Sequence, residues 1–233
     1  MGINAGPLVI TDSLTIRLDP ANSKSYSGAG TAFTSVTSGI GGTVEGTSTY
    51  SISNKGSISL SGTSQIVTAL VTSNSSNHTV AIWFKTSSAD GKKLVGFESS
   101  TLAKTSGSYN NSLYMGSDGK IYFGFWDGAA KVSASLTTLN DNIWHLAVGT
   151  VDMTAKEAKL YIDGIYNSNI TTAGTIQTFT GYWRFGGYKL NNWTNGSDGY
   201  SSATIGPSTI YSRVLTSTEV LKNYNALKKR FDR

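Results

Sequence analysis

Fourteen acidic side chains and two histidines are the first candidates for proton-transfer chemistry in this 233-residue sequence, which has no cysteine. Acid–base hydrolysis of a glycoside needs two carboxyl groups held roughly 5–9.5 Å apart. On a strand that means acids two or four residues apart, because alternate side chains share a face. No two acids here are so spaced. Asp152 and Glu157 are the nearest pair, and the Met153–Lys156 segment between them reads as a turn. His145 lies inside the apolar run Ile143-Trp-His-Leu-Ala-Val148 and reads as a hydrogen-bonded structural histidine, whereas His78 opens a strand and is expected at the surface. No G-x-S-x-G elbow offers an activated serine, and no Walker or Rossmann glycine pattern offers a phosphate cradle. The sequence therefore reads as non-enzymatic.

Binding chemistry is better represented. Aromatic faces flanked by amides and carboxylates suit neutral polar ligands such as glycans. The irregular stretch 187–200 supplies Tyr188, Asn192, Trp193, Asp198 and Tyr200, and a hairpin end supplies Trp126 and Asp127. The competing reading makes these aromatics ordinary core or rim packing. Oxygen ligands at Asn191, Asn195 and Asp198 leave calcium open as an alternative, but the loop lacks the acidic density of an EF-hand, so no cofactor is expected.

These residues have to be placed by strands. Runs rich in β-branched and aromatic residues cover Leu14–Asp19, Ser57–Leu60, Thr79–Lys85, Leu94–Phe97, Leu113–Met115, Ile121–Trp126, Lys131–Leu136, Trp144–Val151, Lys159–Ile162, Trp183–Phe185 and Ala203–Tyr211. They are separated by turn signals such as Ser117-Asp-Gly119 and Asp163-Gly164. The Gly/Ser/Thr-rich region from Tyr26 to Ser53 reads as a long loop with short strands in it. No helix interrupts the strands, so the expected fold is an all-β antiparallel sandwich of jelly-roll type. One domain spans 1–233, with segment 1–13 and a C-terminal amphipathic helix over 216–231 packed on it. No apolar run approaches the roughly 18 residues of a membrane span, and no secretory signal is evident at the start, so no membrane partner is expected.

The formal charge of +5 is local. Lys222–Arg233 holds five cations against Asp232, leaving the other 221 residues near +1. That argues against a nucleic-acid partner. Thr216 and Glu219 have the spacing of a capping box, and Leu215 and Val220 that of a hydrophobic staple. Val220, Leu221, Tyr224, Leu227 and Phe231 form an apolar stripe, with Lys222, Lys229, Arg230 and Arg233 opposite it. Those four cations are either a solvated face or a docking patch for an acidic partner.

The segments Thr79–Phe84, Ile143–Val148, Lys159–Gly164 and Ile205–Leu227 resemble the strands and closing helix of laminin-G-like, concanavalin A-like jelly rolls. More narrowly, Ala5-Gly-Pro7, Thr11-Asp12, Leu18–Tyr26 and the ending Asn223–Phe231 resemble laminin-G-like virion proteins of tailed bacteriophages, cyanophages especially. That resemblance implies a structural protein at the virion surface, assembled in the host cytoplasm, which the missing cysteines suit. It would sit in a capsid-decoration, tail or fibre position and dock on other virion proteins, with weak glycan binding at the loop rim and homo-oligomerisation left open. The alternative implied is a carbohydrate-binding module that recognises a host-surface glycan.

Overall fold

Alternation of apolar and polar residues makes each long run a strand with two distinct faces, and burying one face of each forces two sheets together. The computed structural model describes residues 8–69, 71–102 and 104–233. One sheet runs, edge to edge, through Ile165–Thr171, Glu157–Ile162, His145–Asp152, His78–Lys85, Thr204–Tyr211, Ser57–Ser59 and Thr49–Ser51, with Leu14–Leu18 also on Thr204–Tyr211. The other runs through Ala130–Thr138, Lys120–Trp126, Tyr109–Met115, Lys93–Glu98, Thr180–Phe185, Gln65–Thr68, Gly41–Glu45 and Ala32–Thr34. Val71–Ser73 adds to Thr180–Phe185, and every pairing within the two sheets is antiparallel.

The inter-sheet core holds Ile82, Phe84, Leu113, Phe123, Phe125, Leu160, Phe185 and Ile205, all essentially without exposure. Packing there is close enough to constrain composition. A Cβ at Gly149 would collide with the Phe123 ring of the facing sheet. All eleven strands read from the sequence are present, and short strands do punctuate 26–53. Gln65–Thr68 and Val71–Ser73 are additions, and so is the edge strand Ile165–Thr171. Ile165 and Tyr166 are both exposed, so it lacks the one-sided alternation that marks a half-buried strand.

The helix covers the outer face of the first sheet. It runs as an α-helix over Ser217–Leu227 and tightens into a 3-10 turn over Lys228–Phe231. Its capping box is formed, with Thr216 accepting from the Glu219 amide and Glu219 accepting from the Thr216 amide. Leu215 and Val220 are buried in one cluster with Trp83, Trp144 and Phe231. Phe231 stacks on Trp83 at 4.3 Å and lies 4.6 Å from Trp144. Gly206 beneath it has no room for a side chain, since a Cβ would sit 3.0 Å from Phe231 Cζ.

Three sequence expectations are corrected here. Arg230 is not on the wet face: the 3-10 turn swings its guanidinium onto Asp19, at 2.9 and 3.1 Å, and onto the carbonyls of Lys55 and Gly56. Arg233, although exposed, donates to Asp163 at 2.9 Å. His78 is buried rather than exposed, because the segment before its strand folds over it. His145, by contrast, is the satisfied structural histidine expected, with Nδ1 2.8 Å from Asp163 and Nε2 3.2 Å from Asp141. Burial works against its charged form, but the two carboxylates outweigh burial and raise its pKa.

Candidate functional site

The outer face of the second sheet is covered by irregular chain, and buried charge secures that cover. Lys93, Glu98 and Arg184 are each fully buried on this sheet. Glu98 is ion-paired with Lys93 and lies 3.3 Å from Arg184 Nε, while Ser106 donates to it at 2.6 Å. It also accepts the backbone amides of Tyr188 and Lys189 at 3.1 and 2.9 Å. Burial pushes this carboxyl group up, but the two cations together hold it below the ordinary carboxylate range. Arg184 continues to Gln65 at 2.8 Å, and Gln65 donates to Glu45 at 2.6 Å. The start of the 187–200 stretch is thus tied to the sheet by a saturated anion.

The rest of that stretch is held by aromatic and amide contacts. Leu190 and Trp193 turn inward onto Tyr114 and Tyr122, whose neighbours Leu113 and Phe123 face the inter-sheet core. Tyr114 donates to the Thr194 carbonyl at 2.6 Å, and Asn195 donates to the Tyr122 hydroxyl at 2.8 Å. Asp198 accepts the amides of Leu190 and Asn191 and the Lys189 ammonium at 2.8–3.0 Å. Burial opposes its charge, yet those donors lower its pKa. Tyr109 donates to the Asn191 carbonyl at 2.9 Å and lies 2.7 Å from its side-chain oxygen. These ties leave Asn192 exposed at the edge of a 150 Å³ pocket, shared with Gly107, Ser108, Tyr109, Trp126 and Gln177.

Asn110, fully buried, fixes two of the residues that line this pocket. Its side chain accepts the Trp126 amide at 2.8 Å and donates to the Gln177 carbonyl at 2.6 Å, tying two chain segments at fixed separation. Tyr109 and Trp126 sit with ring centroids 6.4 Å apart, both half-buried. The pocket thus offers two aromatic rings and two side-chain amides, and no charged side chain among the described residues lines it.

A laminin-G-type family model described as "Concanavalin A-like lectin/glucanases superfamily" matches residues 60–221. The chain belongs to this superfamily. Similar solved structures include the binding domain of Paraclostridial Mosquitocidal Protein 1, at 16% identity and TM-score 0.63, covering 92% of this chain and 52% of that one. Another is domain 4 of AbnA, a GH43 extracellular arabinanase from Geobacillus stearothermophilus, in complex with arabinotriose, at 17% identity and TM-score 0.56, covering 91% of this chain and 98% of that one. The Trypanosoma rangeli sialidase matches at 13% identity and TM-score 0.66, over 94% of this chain and 35% of that one. The chain thus spans about half the length of the mosquitocidal binding domain and a third of the sialidase. At such identities the likeness establishes a shared fold. The search of curated proteins found no match.

On this concanavalin A-like scaffold, the structure brings together two of the seven aromatic, amide and acidic residues singled out from the sequence, Trp126 and Asn192. Trp193 is 3% exposed and is a packing residue, because Leu190 and Trp193 must cover Tyr114 and Tyr122. Asp198 is consumed by its own loop. Asp127 is tied to the Thr172 hydroxyl and the Ala129 amide. Tyr188 and Tyr200 pack edge to face at 5.3 Å in a two-stranded ribbon and do not line the pocket. Of the calcium alternative, the Asn191 side-chain oxygen lies against the Tyr109 hydroxyl, the Asn195 side chain donates to Tyr122, and Asp198 accepts the Leu190 and Asn191 amides. Lys222 and Lys229 remain exposed on the helix. Tyr109 and Gln177 escaped the sequence reading. The run Gly107-Ser-Tyr-Asn-Asn-Ser112 shares the aromatic–amide composition of 187–200 and was the available signal for Tyr109; nothing local marks Gln177.

Proposed function

We propose that the chain is a non-enzymatic, lectin-like module that binds an uncharged glycan in the pocket between Tyr109, Trp126, Gln177 and Asn192. The observation carrying this reading is the pocket's composition. Two half-buried rings offer stacking faces, amides offer paired donors and acceptors, and no charged side chain among the described residues lines the wall, the Lys93 ammonium 5.8 Å from the Tyr109 ring centroid being paired with Glu98. The absence of catalysis is supported by the state of the nearby acids, since Asp127 is bonded to the distant Thr172 hydroxyl and Asp198 to amides of its own loop. Domain 4 of AbnA, which shares this fold and is in complex with arabinotriose, lends a precedent.

The setting we propose is the surface of a tailed-phage particle, assembled in the host cytoplasm, with the module docked on capsid or tail proteins. It is supported by the resemblance of the opening and closing segments to virion proteins, of which residues 1–7 lie outside the described residues. Lys222 and Lys229 are the cations left for such docking.

Titration calorimetry with arabinotriose, and separately with a sialylated oligosaccharide, tests the binding reading. Millimolar or tighter affinity for the neutral sugar is expected, with a loss of roughly tenfold in Trp126→Ala, equivalent to about 1.4 kcal/mol. Preference for the sialylated probe, or binding indifferent to Trp126→Ala and Asn192→Ala, overturns it. Stoichiometric presence on purified particles tests the setting independently.

A further inference from the structure

A second cavity, of 90 Å³, opens between the two sheets at the N-terminal end of strand His78–Lys85. Phe97, Trp183 and Ile210 give it an apolar floor, and Thr15, Ser76 and Ser212 surround it with hydroxyl-bearing residues. No charged side chain among the described residues lines it. His78 borders the same space, 5% exposed, with its ring edge-on to Trp183 at 6.0 Å between centroids.

The tautomer of His78 follows from its single hydrogen bond. Nδ1 lies 2.9 Å from the Ser76 carbonyl, which can only accept, so Nδ1 carries the proton. Burial lowers the pKa to about 4, so the ring is neutral at physiological pH and Nε2 is left as a bare acceptor. That atom is buried and has no partner among the described residues. A buried acceptor left unpaired is costly, and such groups in folded proteins are normally satisfied. The volume exceeds what one water needs, about 10–15 Å³ on the same measure.

We propose that this cavity is a binding site for an uncharged molecule with a ring-sized apolar body and one hydrogen-bond donor, the donor meeting His78 Nε2 as a small shift of the ring opens that enclosed atom to the cavity. Charge selects the class. An ammonium group would find no carboxylate in the wall, and a carboxylate would face a neutral imidazole and an aromatic floor. The site is separate from the aromatic–amide pocket, although the Gln177 carbonyl, which accepts from both Asn74 and Asn110, links the walls of the two.

NMR-monitored titration with cyclohexanol, and with methylcyclohexane as its hydroxyl-free counterpart, tests the proposal. Saturable shifts of the His78 imidazole and Trp183 indole signals are expected, with cyclohexanol bound roughly three- to tenfold more tightly, the worth of one neutral hydrogen bond. His78→Leu should erase that preference while leaving methylcyclohexane binding in place. Should that variant not fold, Ser212→Phe, at an exposed position on the cavity wall, should abolish binding of both probes. Unmoved His78 and Trp183 signals would indicate a water-filled void only and overturn the proposal. So would equal affinity for the two probes, or undiminished binding in Ser212→Phe.

Discussion

The two outer faces of this sandwich are sealed in opposite ways. One is covered by a helix whose apolar stripe, from Leu215 to Phe231, lies on Trp83, Trp144 and Tyr161. The other is covered by an irregular chain whose start is held by a carboxylate, Glu98, buried between Lys93 and Arg184. A helix satisfies its own backbone and needs only an apolar face to dock. A loop brings unpaired amides with it, so the surface beneath must supply acceptors, as Glu98 does for Tyr188 and Lys189. The polar seal costs desolvation, and it leaves amides and rings at its edge where a ligand can meet them. The candidate glycan pocket lies on the loop side for that reason.

The largest test of this contrast is Glu98→Gln. It strands two buried cations, so a loss of roughly 3–5 kcal/mol is expected in urea unfolding, together with loss of glycan binding. Survival of the pocket in that variant would show that the loop does not depend on its buried anion. On the opposite face, Phe231→Ala should cost about 3 kcal/mol through lost packing on the two tryptophans, with glycan affinity unchanged at temperatures where the variant is folded. An affinity change there would mean that the two seals are coupled.

The two histidines, both on strands of the first sheet, answer pH in opposite senses. His78 has a lowered native pKa and no acidic partner, so the unfolded chain takes up its proton first. Stability should fall as pH drops from 6.5 toward 4, by on the order of 3 kcal/mol, a slope missing in His78→Leu. His145, beside the helix's Arg233–Asp163 contact, has a raised pKa. Its contribution is therefore full below pH 6.5 and is lost as pH rises through that raised value; His145→Gln should remove this opposite slope. Guanidine melts at a series of pH values read both. The smallest effect belongs to the helix start: Thr216→Ala should cost about 1 kcal/mol by removing the cap, visible as a lowered urea midpoint with an unchanged slope.

Legibility followed the same division. Most strands of the core and the helix with its cap are visible in the sequence because period, cap spacing and staple are all local signals, read within a few residues of one another; the buried four-residue strand Gln65–Thr68 is too short to show a period. The edge strand Ile165–Thr171 is not visible either, since both its first residues face solvent. Arg230 reads as a wet cation on an ideal helical wheel. The tightening at Lys228 rotates it onto Asp19, a residue 211 positions away. Trp193 and Tyr109 show the same limit in the site. Their composition marks them alike as ligand-binding types, and only packing sends the first inward onto Tyr114 and sets the second, its hydroxyl bonded to Asn191, on the pocket wall.

The sequence by itself determined an all-β sandwich closed by one capped helix, with no local pairing of acids for hydrolysis and a charge confined to one end. Those properties rest on periodicity and neighbour spacing, which chain connectivity imposes. The tertiary structure alone decided which aromatics are surface, that His78 is buried with a free nitrogen, and that Glu98 lies between two cations. Each of these depends on residues brought together from distant strands, where the balance of burial against hydrogen bonding is set by partners the local sequence does not name.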